Sequence, residues 1–388
     1  PTMAQRGNWY KGNAKTYTIK SIVFKDSYAP TSTVDETWNA DVENTGSIKC
    51  YRTGTEIIIA GNGSGKIMAN ANSSSMFQAF TGLTSLDLSN LDTSNVTNMR
   101  NMFTNCEISS LDLSGFDTSN VTNMDSMFSC SYLTSIDISG FDTSKVTTMV
   151  WMFSDCRYLK TINMSGLDTS NVTNMLRMFK NCANLTSLDI SGIDTSKVTN
   201  MGEMFDGCER LTALDLSSFD TSNVTNMYSM FDLCRSLTTL DLSGFNTSKV
   251  TNMGSMFHFC DKLSTLDLSG FDTSNVTTMN MMFSSCSARI KGLSGFDTSN
   301  VTNMSYMFEH RSYYGLDFSG FDTSNVTSMS YMFAESGGGK LDLSGFDTSK
   351  VKDMGHMFYK CKLTTVDVSS FNTENVTSMY GMFYDCSN

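Results

Sequence analysis

Cysteine is the residue with chemical potential that recurs most regularly in this sequence of 388 residues. Ten of the 11 cysteines follow a Met-Phe pair, and we interpret them as one position of a repeated motif: Cys106, Cys130, Cys156, Cys182, Cys208, Cys234, Cys260, Cys286, Cys361 and Cys386. No Cys-x-x-Cys pair accompanies them, so the spacing does not favour a metal centre. Equivalent side chains of stacked repeats point in parallel, which disfavours disulfides. We therefore predict unpaired cysteines that serve as small buried apolar residues.

Histidine offers little catalytic potential in this chain. The three histidines, His258, His310 and His356, fall at three different positions of their repeats, so stacking does not gather them into one site. The sequence contains no Gly-x-Ser-x-Gly, phosphate-loop or His-Glu-x-x-His motif. We predict a protein with no catalytic residues, no bound metal and no cofactor.

Aspartate recurs at two positions of the motif, one on a predicted strand and one at a corner. The corner residues open an Asp-Thr-Ser or Asn-Thr-Ser segment every 25 or 26 residues: Asp92, Asp117, Asp142, Asp168, Asp194, Asp220, Asn246, Asp272, Asp297, Asp322, Asp347 and Asn372. Calcium would relieve the repulsion between such carboxylates. The sequence lacks the Gly-Gly-x-Gly-x-Asp pattern of calcium-loaded β-helices, so we favour carboxylates that accept hydrogen bonds from nearby backbone N–H groups.

The elements that position these residues follow from the repeat itself. A unit reads LTSLDLSGFDTSNVTNMxxMFxxCxx, which predicts a short strand, a corner, a second short strand and a tight helical turn. A unit of this size buries its apolar side only by stacking on its neighbours. We predict a β-rich solenoid, which is a right-handed coil of short parallel strands and short helical turns. Residues 1–80 form an N-terminal cap with a degenerate first repeat, and residues 81–388 hold about twelve repeats, the last of them truncated.

Charge and hydropathy exclude two classes of function. The formal net charge is −12 and no Lys or Arg run forms a basic stripe, so the sequence does not predict nucleic-acid binding. No stretch of about 18 apolar residues is present, so no membrane span is predicted in this segment. The sequence also ends within a repeat, and we interpret it as a portion of a longer protein.

The alternation of LDLSGFDTSNVTNM with MFSxC resembles the BspA-like leucine-rich-repeat surface proteins, in their Asp-Thr-Ser variant. The resemblance covers about residues 56–388. It implies a parallel β-rich solenoid, exposure on the outside of a bacterial cell, and a role in adhesion or protein binding. No catalytic residues come with the motif. Similar repeats also suit a phage or secreted appendage protein.

Residues that vary between repeats suggest where a partner binds. They occupy the pair between the two Met residues, the pair between Phe and Cys, and the positions just after Cys, and we call them the variable stripe. All ten Tyr of the repeats lie in it, with Trp151 and Phe259: Tyr132, Tyr158, Tyr228, Tyr306, Tyr313, Tyr314, Tyr331, Tyr359, Tyr380 and Tyr384. Tyr and Trp are enriched in binding surfaces.

These residues predict a non-enzymatic extracellular adhesin or receptor-binding protein whose partner is a protein or a glycan. Recognition is expected to be concentrated in the last four repeats, where the stripe is richest in Tyr. The alternative is a structural spacer that holds another domain away from a surface, with neutral drift at its exposed positions.

Overall fold

The computed structural model describes residues 1–5, 9–312 and 315–386. Two compact units divide the chain, Pro1–Asp194 and Thr195–Asn388. Tyr313 and Tyr314 of the variable stripe lie outside the described residues.

The first unit combines a mixed sheet with the first repeats. Its strands are β1 (Ser21–Lys25), β2 (Glu36–Asn39), β3 (Lys49–Thr53), β4 (Glu56–Ala60), β5 (Ile67–Met68), β6 (Ser85–Asp87), β7 (Leu91–Asp92), β8 (Ser135–Asp137) and β9 (Thr161–Asn163), and a 3₁₀ helix spans Thr16–Thr18. Five of them form a sheet in the order β2-β3-β4-β1-β6, in which β1 pairs in parallel with β4 and with β6, while β2-β3 and β3-β4 are antiparallel. The remaining strands form the parallel pairs β5-β7 and β8-β9.

This sheet explains how the divergent N-terminal segment joins the repeats. Strand β4 carries three consecutive isoleucines, which are all buried, as suits a strand that is covered on both faces. The pairing of β1 with β6 continues the sheet into the first Leu-Asp-Leu segment. The segments TYTIKSIVF and GTEIIIAG contain β1 and β4, respectively.

The second unit contains four named strands in two parallel pairs. These are β10 (Thr265–Asp267) with β11 (Arg289–Lys291), and β12 (Gly337–Asp342) with β13 (Lys362–Asp367), and a 3₁₀ helix spans Leu293–Gly295. Other described Leu-Asp-Leu segments, such as residues 111–113, are not paired as strands. The prediction of one such strand in every repeat was wrong, because neighbouring segments hydrogen-bond there only in some repeats.

Parallel backbone pairing is more regular in the NVTNM segment. Each repeat contributes one bridging residue, usually Asn, in register with the next: Asn72, Asn98, Asn123, Thr148 and Asn174 in the first unit, and Asn200, Asn226, Asn252, Thr278, Asn303, Ser328, Asp353 and Ser378 in the second. Asn72 belongs to the predicted degenerate repeat, and Phe77 stacks on Phe103 with ring centroids 5.5 Å apart. The predicted second strand is thus reduced to a single bridge per repeat.

The predicted helical turn after this bridge was also wrong. In the first full repeat Asn101 and Asn105 both have φ of 57°, in the left-handed region, and the same two positions are left-handed in the other described repeats. An α-helix does not tolerate such residues, and each costs on the order of 1 kcal/mol outside glycine. The N–H groups of Asn101 and Asn105 offset this strain, because they donate to Asp125 and Ser129 of the next repeat at 2.9 Å each.

Stacked phenylalanines fill the core of both units. The Phe of each Met-Phe pair lies over the next, with centroids 5.7 Å apart for Phe103 and Phe128 and 5.9 Å apart for Phe231 and Phe257. Val and both Met residues of most repeats are fully buried beside them. Large side chains at identical positions therefore pack in register, which explains why Phe, Val and Met recur at these positions of the motif.

The threonine of Asp-Thr-Ser links each repeat to the next. Its hydroxyl donates to the backbone carbonyl of the following corner residue, as Thr247 does to Asp272 at 2.9 Å, and it also accepts from the Asp272 N–H at 2.9 Å. These threonines are at most 2% exposed: Thr93, Thr118, Thr143, Thr169, Thr195, Thr221, Thr247, Thr273, Thr298, Thr323 and Thr348. They are buried polar residues whose hydrogen-bonding capacity is used between repeats.

The corner aspartates cap the backbone, as predicted. Asp272 accepts from the Ser274 N–H at 3.0 Å and from its hydroxyl at 2.7 Å, and these hydrogen bonds lower the pKa of its carboxyl group. The aspartates of the Leu-Asp-Leu segments do the same, since Asp112 accepts from the N–H and the hydroxyl of Ser114. Each aspartate thus closes its own turn.

The cysteine position differs from its prediction in two ways. Cys260 is buried, but its thiol donates to the Phe231 carbonyl of the preceding repeat at 3.3 Å, so it is not only an apolar filler. Ser336 stands at this position in a later repeat and its hydroxyl makes the same contact with Phe308 at 2.7 Å. Cys130 is displaced by one residue, to a left-handed position with φ of 55°.

A donor at the cysteine position is testable by substitution. Cys260→Ser keeps a donor to Phe231, whereas Cys260→Ala removes it with little change in volume. We expect the serine variant to be the more stable by about 1 kcal/mol, the typical net value of a hydrogen bond. Urea unfolding of both variants measures the difference. A more stable alanine variant would show that the cysteine serves only as a small buried apolar residue.

Thiol accessibility separates the cysteines into two classes. None of the 11 forms a disulfide; nine are buried, Cys130 is half-buried and Cys386 is exposed. Burial raises the pKa of Cys156 to about 12, which keeps that thiol protonated and unreactive. A thiol reagent is expected to label Cys130 and Cys386 in the folded protein and every cysteine after denaturation. Mass spectrometry that found rapid labelling of Cys156 or Cys260 in the folded protein would contradict this packing.

Candidate binding surface

Left-handed backbone positions carry many of the variable side chains. Trp151, Tyr306, Tyr331 and His356 occupy the first of the two positions, with φ between 57° and 62°. The two Met residues that flank the variable pair of each of these repeats are buried, so the variable pair lies at the edge of the core. Trp151 is 37% exposed, while Tyr306, Tyr331 and His356 are half-buried.

The predicted aromatic residues do not form one continuous column. They lie at four positions of the repeat: Tyr228 and Tyr380 after the first Met, Trp151, Tyr306 and Tyr331 one residue later, Tyr359 and Tyr384 after Phe, and Tyr132 and Tyr158 near the residue after the cysteine position. Ring contacts among the described residues join Tyr132 to Tyr158 in the first unit, and five tyrosines to His356 in the second. Tyr228 belongs to neither, and its ring lies against Gly254.

The group in the second unit is a stack of rings that we call the C-terminal aromatic cluster. It consists of Tyr306, Tyr331, His356, Tyr359, Tyr380 and Tyr384. Tyr331 lies between Tyr306 and His356, with centroids 4.6 Å and 4.5 Å away and nearly parallel rings.

A second column of rings meets this stack at a steep angle. Tyr359 stacks on Tyr384 at 5.6 Å and contacts the edge of His356 at 5.2 Å, and His356 also contacts Tyr380 at 5.1 Å. Tyr380 is 79% exposed and Tyr384 is 63% exposed. The cluster therefore presents ring edges and hydroxyl groups of several repeats to solvent.

Charged groups of both signs border the cluster. His310 Nδ1 lies 3.6 Å from Glu335, and Lys360 Nζ lies 5.0 Å from the centroid of the Tyr359 ring. A hydrogen bond to Tyr359 raises the pKa of Lys360. Burial raises the pKa of Glu309, whose carboxylate accepts from the Ser284 hydroxyl at 3.0 Å. The aromatic rings are therefore surrounded by side chains of both charges.

The group in the first unit has a different character, and we call it the basic aromatic patch. Tyr132 and Tyr158 stack with centroids 4.9 Å apart and are 42% and 50% exposed. The guanidinium of Arg177 lies 4.8 Å from the centroid of the Trp151 ring. Arg157 has a side chain that is 70% exposed and contacts Asp155 at 3.6 Å.

Two contacts of the variable residues were not foreseen from the sequence. Arg177 lies over the Trp151 ring because it occupies the same position one repeat later. The 26-residue spacing between the two residues is the signal that could have predicted this contact. Arg311 replaces cysteine in its repeat and is 9% exposed, with its guanidinium donating to the carbonyls of Ala288 and Ser312. Arg311 therefore occupies a core position with little exposure to solvent.

The titratable side chains of the variable positions contact one another in pairs. His258 Nδ1 lies 2.9 Å from Asp232, but the hydroxyl of Ser284, one repeat further on, donates to Glu309. Over residues 1–5, 9–312 and 315–386, no group of three or more His, Cys, Asp or Glu side chains is arranged to hold a metal ion. A groove lies elsewhere, between the segments 316–319 and 340–346.

No helix within the described part of the chain is long and apolar enough to cross a bilayer.

Parallel pairing, turns in place of helices, and side-chain links between successive repeats define a β-rich repeat protein. A family described as "Mycoplasma protein of unknown function, DUF285" matches residues 71–188, 148–264, 177–295 and 285–388. The chain belongs to this DUF285 family. No curated protein and no solved structure matches the chain.

Proposed function

We propose that the chain is a non-enzymatic binding protein on the outside of a bacterial cell, whose DUF285 repeats stack as a right-handed solenoid of the BspA-like leucine-rich-repeat type. Parallel register within each unit and the Thr-mediated links between repeats support the solenoid. The resemblance of the motif to BspA-like repeats supports the surface location, with a phage or secreted appendage as the other setting.

The C-terminal aromatic cluster is the observation that carries the binding role. Structural needs explain the buried Phe, Met, Val and Thr of each repeat, but they do not explain six contacting rings at variable positions of four successive repeats. Aromatic residues with two side-chain torsions lose little conformational entropy on binding and often supply most of the binding energy. We infer that a protein or glycan partner contacts this cluster.

The contacts of the titratable residues support a function without catalysis. Asp232 forms a hydrogen bond with His258 Nδ1, and the hydroxyl of Ser284, at the same position one repeat further on, donates to Glu309. A nucleophile needs hydrogen-bond contact with its base. The Asp232–His258 pair therefore serves as a link between two repeats.

The spacer role remains a second candidate because the links between repeats also suit a rigid support. Each Thr of Asp-Thr-Ser joins two repeats by buried hydrogen bonds, independently of any partner. A spacer would depend on repeat number and be indifferent to the aromatic cluster.

A screen of the intact chain on glycan and extracellular-matrix protein arrays separates the two roles. The binding role predicts a reproducible hit that the unlabelled chain competes away. An intact, folded chain that binds nothing on either array would favour the spacer role.

A further inference from the structure

Arg311 is a buried cation that the surrounding repeats satisfy only in part. It stands at the cysteine position, where the neighbouring repeats have Cys286 and Ser336, and it is 9% exposed. Its Nε and Nη2 groups donate to the carbonyls of Ser312 and Ala288 at 3.2 Å and 3.1 Å. The third nitrogen, Nη1, is buried and has no hydrogen-bond partner in the described part of the chain.

The guanidinium of Arg311 also lacks an opposite charge. Among the residues that the structure describes, no carboxylate contacts it, and the ionisable group that acts on it is the thiol of Cys286. Burial lowers the pKa of Arg311. A guanidinium nevertheless keeps its proton over the accessible pH range, so titration does not relieve the cost of burial. The folded chain therefore carries an unpaired buried charge, which is destabilising.

Two features of the next repeat weaken the same region, the contact between residues 297–321 and 322–346, which we call the Arg311 interface. Strand β12 begins with three glycines, of which Gly338 and Gly339 have φ of 148° and 86°, and its register against β13 shifts there. Glycine weakens a strand because it loses much backbone entropy and packs no side chain. A groove of about 520 Å³ also separates the segments 316–319 and 340–346.

An earlier contact in the same unit lacks these features and serves as a reference. We call the contact between residues 246–271 and 272–296 the reference interface. Its Leu-Asp-Leu segments pair in parallel as β10 and β11, with three residues of each strand in register. It has the regular Cys260 and Cys286 at the cysteine position.

We propose that the Arg311 interface is a built-in site of local opening, at which two repeats separate while the repeats on either side stay folded. Each unit of a repeat protein contacts only its neighbours, so one poor interface lowers stability locally. Tyr306 lies on one side of this interface and Tyr331 on the other, with ring centroids 4.6 Å apart. Opening therefore separates two rings of the C-terminal aromatic cluster. A partner that contacts both rings stabilises the closed state, a consequence that rests on the proposed function.

Native-state hydrogen exchange of the full chain, read by mass spectrometry at residue resolution, tests the proposal without any partner. The N–H groups of Phe308 and His310 donate across the Arg311 interface at 2.9 Å each, and those of Phe257 and Phe259 donate across the reference interface at 3.1 Å each. Hydrogen-bond length alone thus predicts no faster exchange at Phe308 and His310. We expect their protection factors to be at least tenfold lower than those of Phe257 and Phe259.

Two substitutions of Arg311 remove the buried charge in different ways. Arg311→Met keeps a long unbranched side chain, and Arg311→Cys restores the residue of the motif. We expect both variants to raise the protection factors of Phe308 and His310, by about fivefold or more for Arg311→Met, which leaves the smaller cavity. Arg289 is an exposed arginine on β11, and Arg289→Met should leave these protection factors within about twofold.

Three results would overturn the proposal. The first is equal protection at the two interfaces in the unmodified chain. The second is unchanged or lower protection of Phe308 and His310 in both Arg311 variants, because the guanidinium would then hold the repeats together. The third is an equal gain in the Arg289→Met control. Because no partner is present, these results do not depend on the proposed binding role.

Discussion

Thr247→Val is expected to lower the free energy of unfolding by about 2 to 4 kcal/mol, because two backbone groups of Asp272 lose their partner at once. The threonine hydroxyl both donates to the Asp272 carbonyl and accepts from its N–H, at 2.9 Å in each case, and the residue is 1% exposed. Valine has nearly the same shape but supplies neither a donor nor an acceptor. Water has little access to replace the hydroxyl.

A neighbouring threonine provides the control. Thr251 is exposed and its hydroxyl donates to the Thr225 carbonyl at 3.2 Å, where solvent can substitute for it. Thr251→Val should therefore change the free energy of unfolding by no more than about 0.5 kcal/mol. Urea unfolding of both variants, followed by circular dichroism, gives the comparison. Equal losses in the two variants would mean that the link between Thr247 and Asp272 contributes little.

The periodicity of the sequence was sufficient to predict the stacking of repeats in parallel. The 25- or 26-residue spacing placed Phe77 opposite Phe103, and the two rings stack. The role of the corner aspartates was also predictable, because an Asp side chain reaches the N–H group two residues further on whatever surrounds it. These features depend on local geometry or on exact repetition, and both are visible in a single chain.

Backbone conformation in the Met-Phe-Cys segment was not predictable from spacing. Met102, Phe103 and Cys106 recur at distances typical of a helical turn, but Asn101 and Asn105 are left-handed. Their N–H groups bond to the next repeat instead of to their own turn. Hydrogen bonds between repeats outweigh local propensity here, and no local pattern reports them.

The candidate site was likewise predictable from the sequence only in part, because its contacts form between repeats. The predicted residues were chosen because they vary and are aromatic, and most of them do contact one another. Their division into two groups depends on which residue lies one repeat away, as for Tyr331 between Tyr306 and His356. The spacing of the motif predicted that Cys130 lies at the cysteine position. In the structure Cys130 is displaced by one residue, and the buried Ser131 lies at that position instead.

Replacement of Tyr331, Tyr359 and Tyr384 by Ala is expected to weaken partner binding at least tenfold, which is about 1.4 kcal/mol. These residues join the two columns of the C-terminal aromatic cluster, and truncation removes both ring surface and hydroxyl groups. Loss of ring stacking costs about 0.5 to 1.5 kcal/mol per pair, so we expect Tm to fall by only a few degrees.

Phe333 offers a matched control two residues from Tyr331. It is fully buried and stacks between Phe308 and Phe358, with centroids 5.8 Å and 5.9 Å away. Phe333→Ala should cost about 3 to 5 kcal/mol of stability, the usual range for a buried aromatic residue. The two substitutions compare an aromatic residue that packs the repeat with three that are proposed to contact a partner.

The separation of packing from recognition is tested most directly by measuring Tm and partner affinity together in the triple tyrosine variant, with the partner taken from the array screen. We expect a folded protein with a Tm lower by only a few degrees and an affinity at least tenfold lower. A triple variant that is unfolded, or one that is folded and binds with the affinity of the original chain, would contradict it.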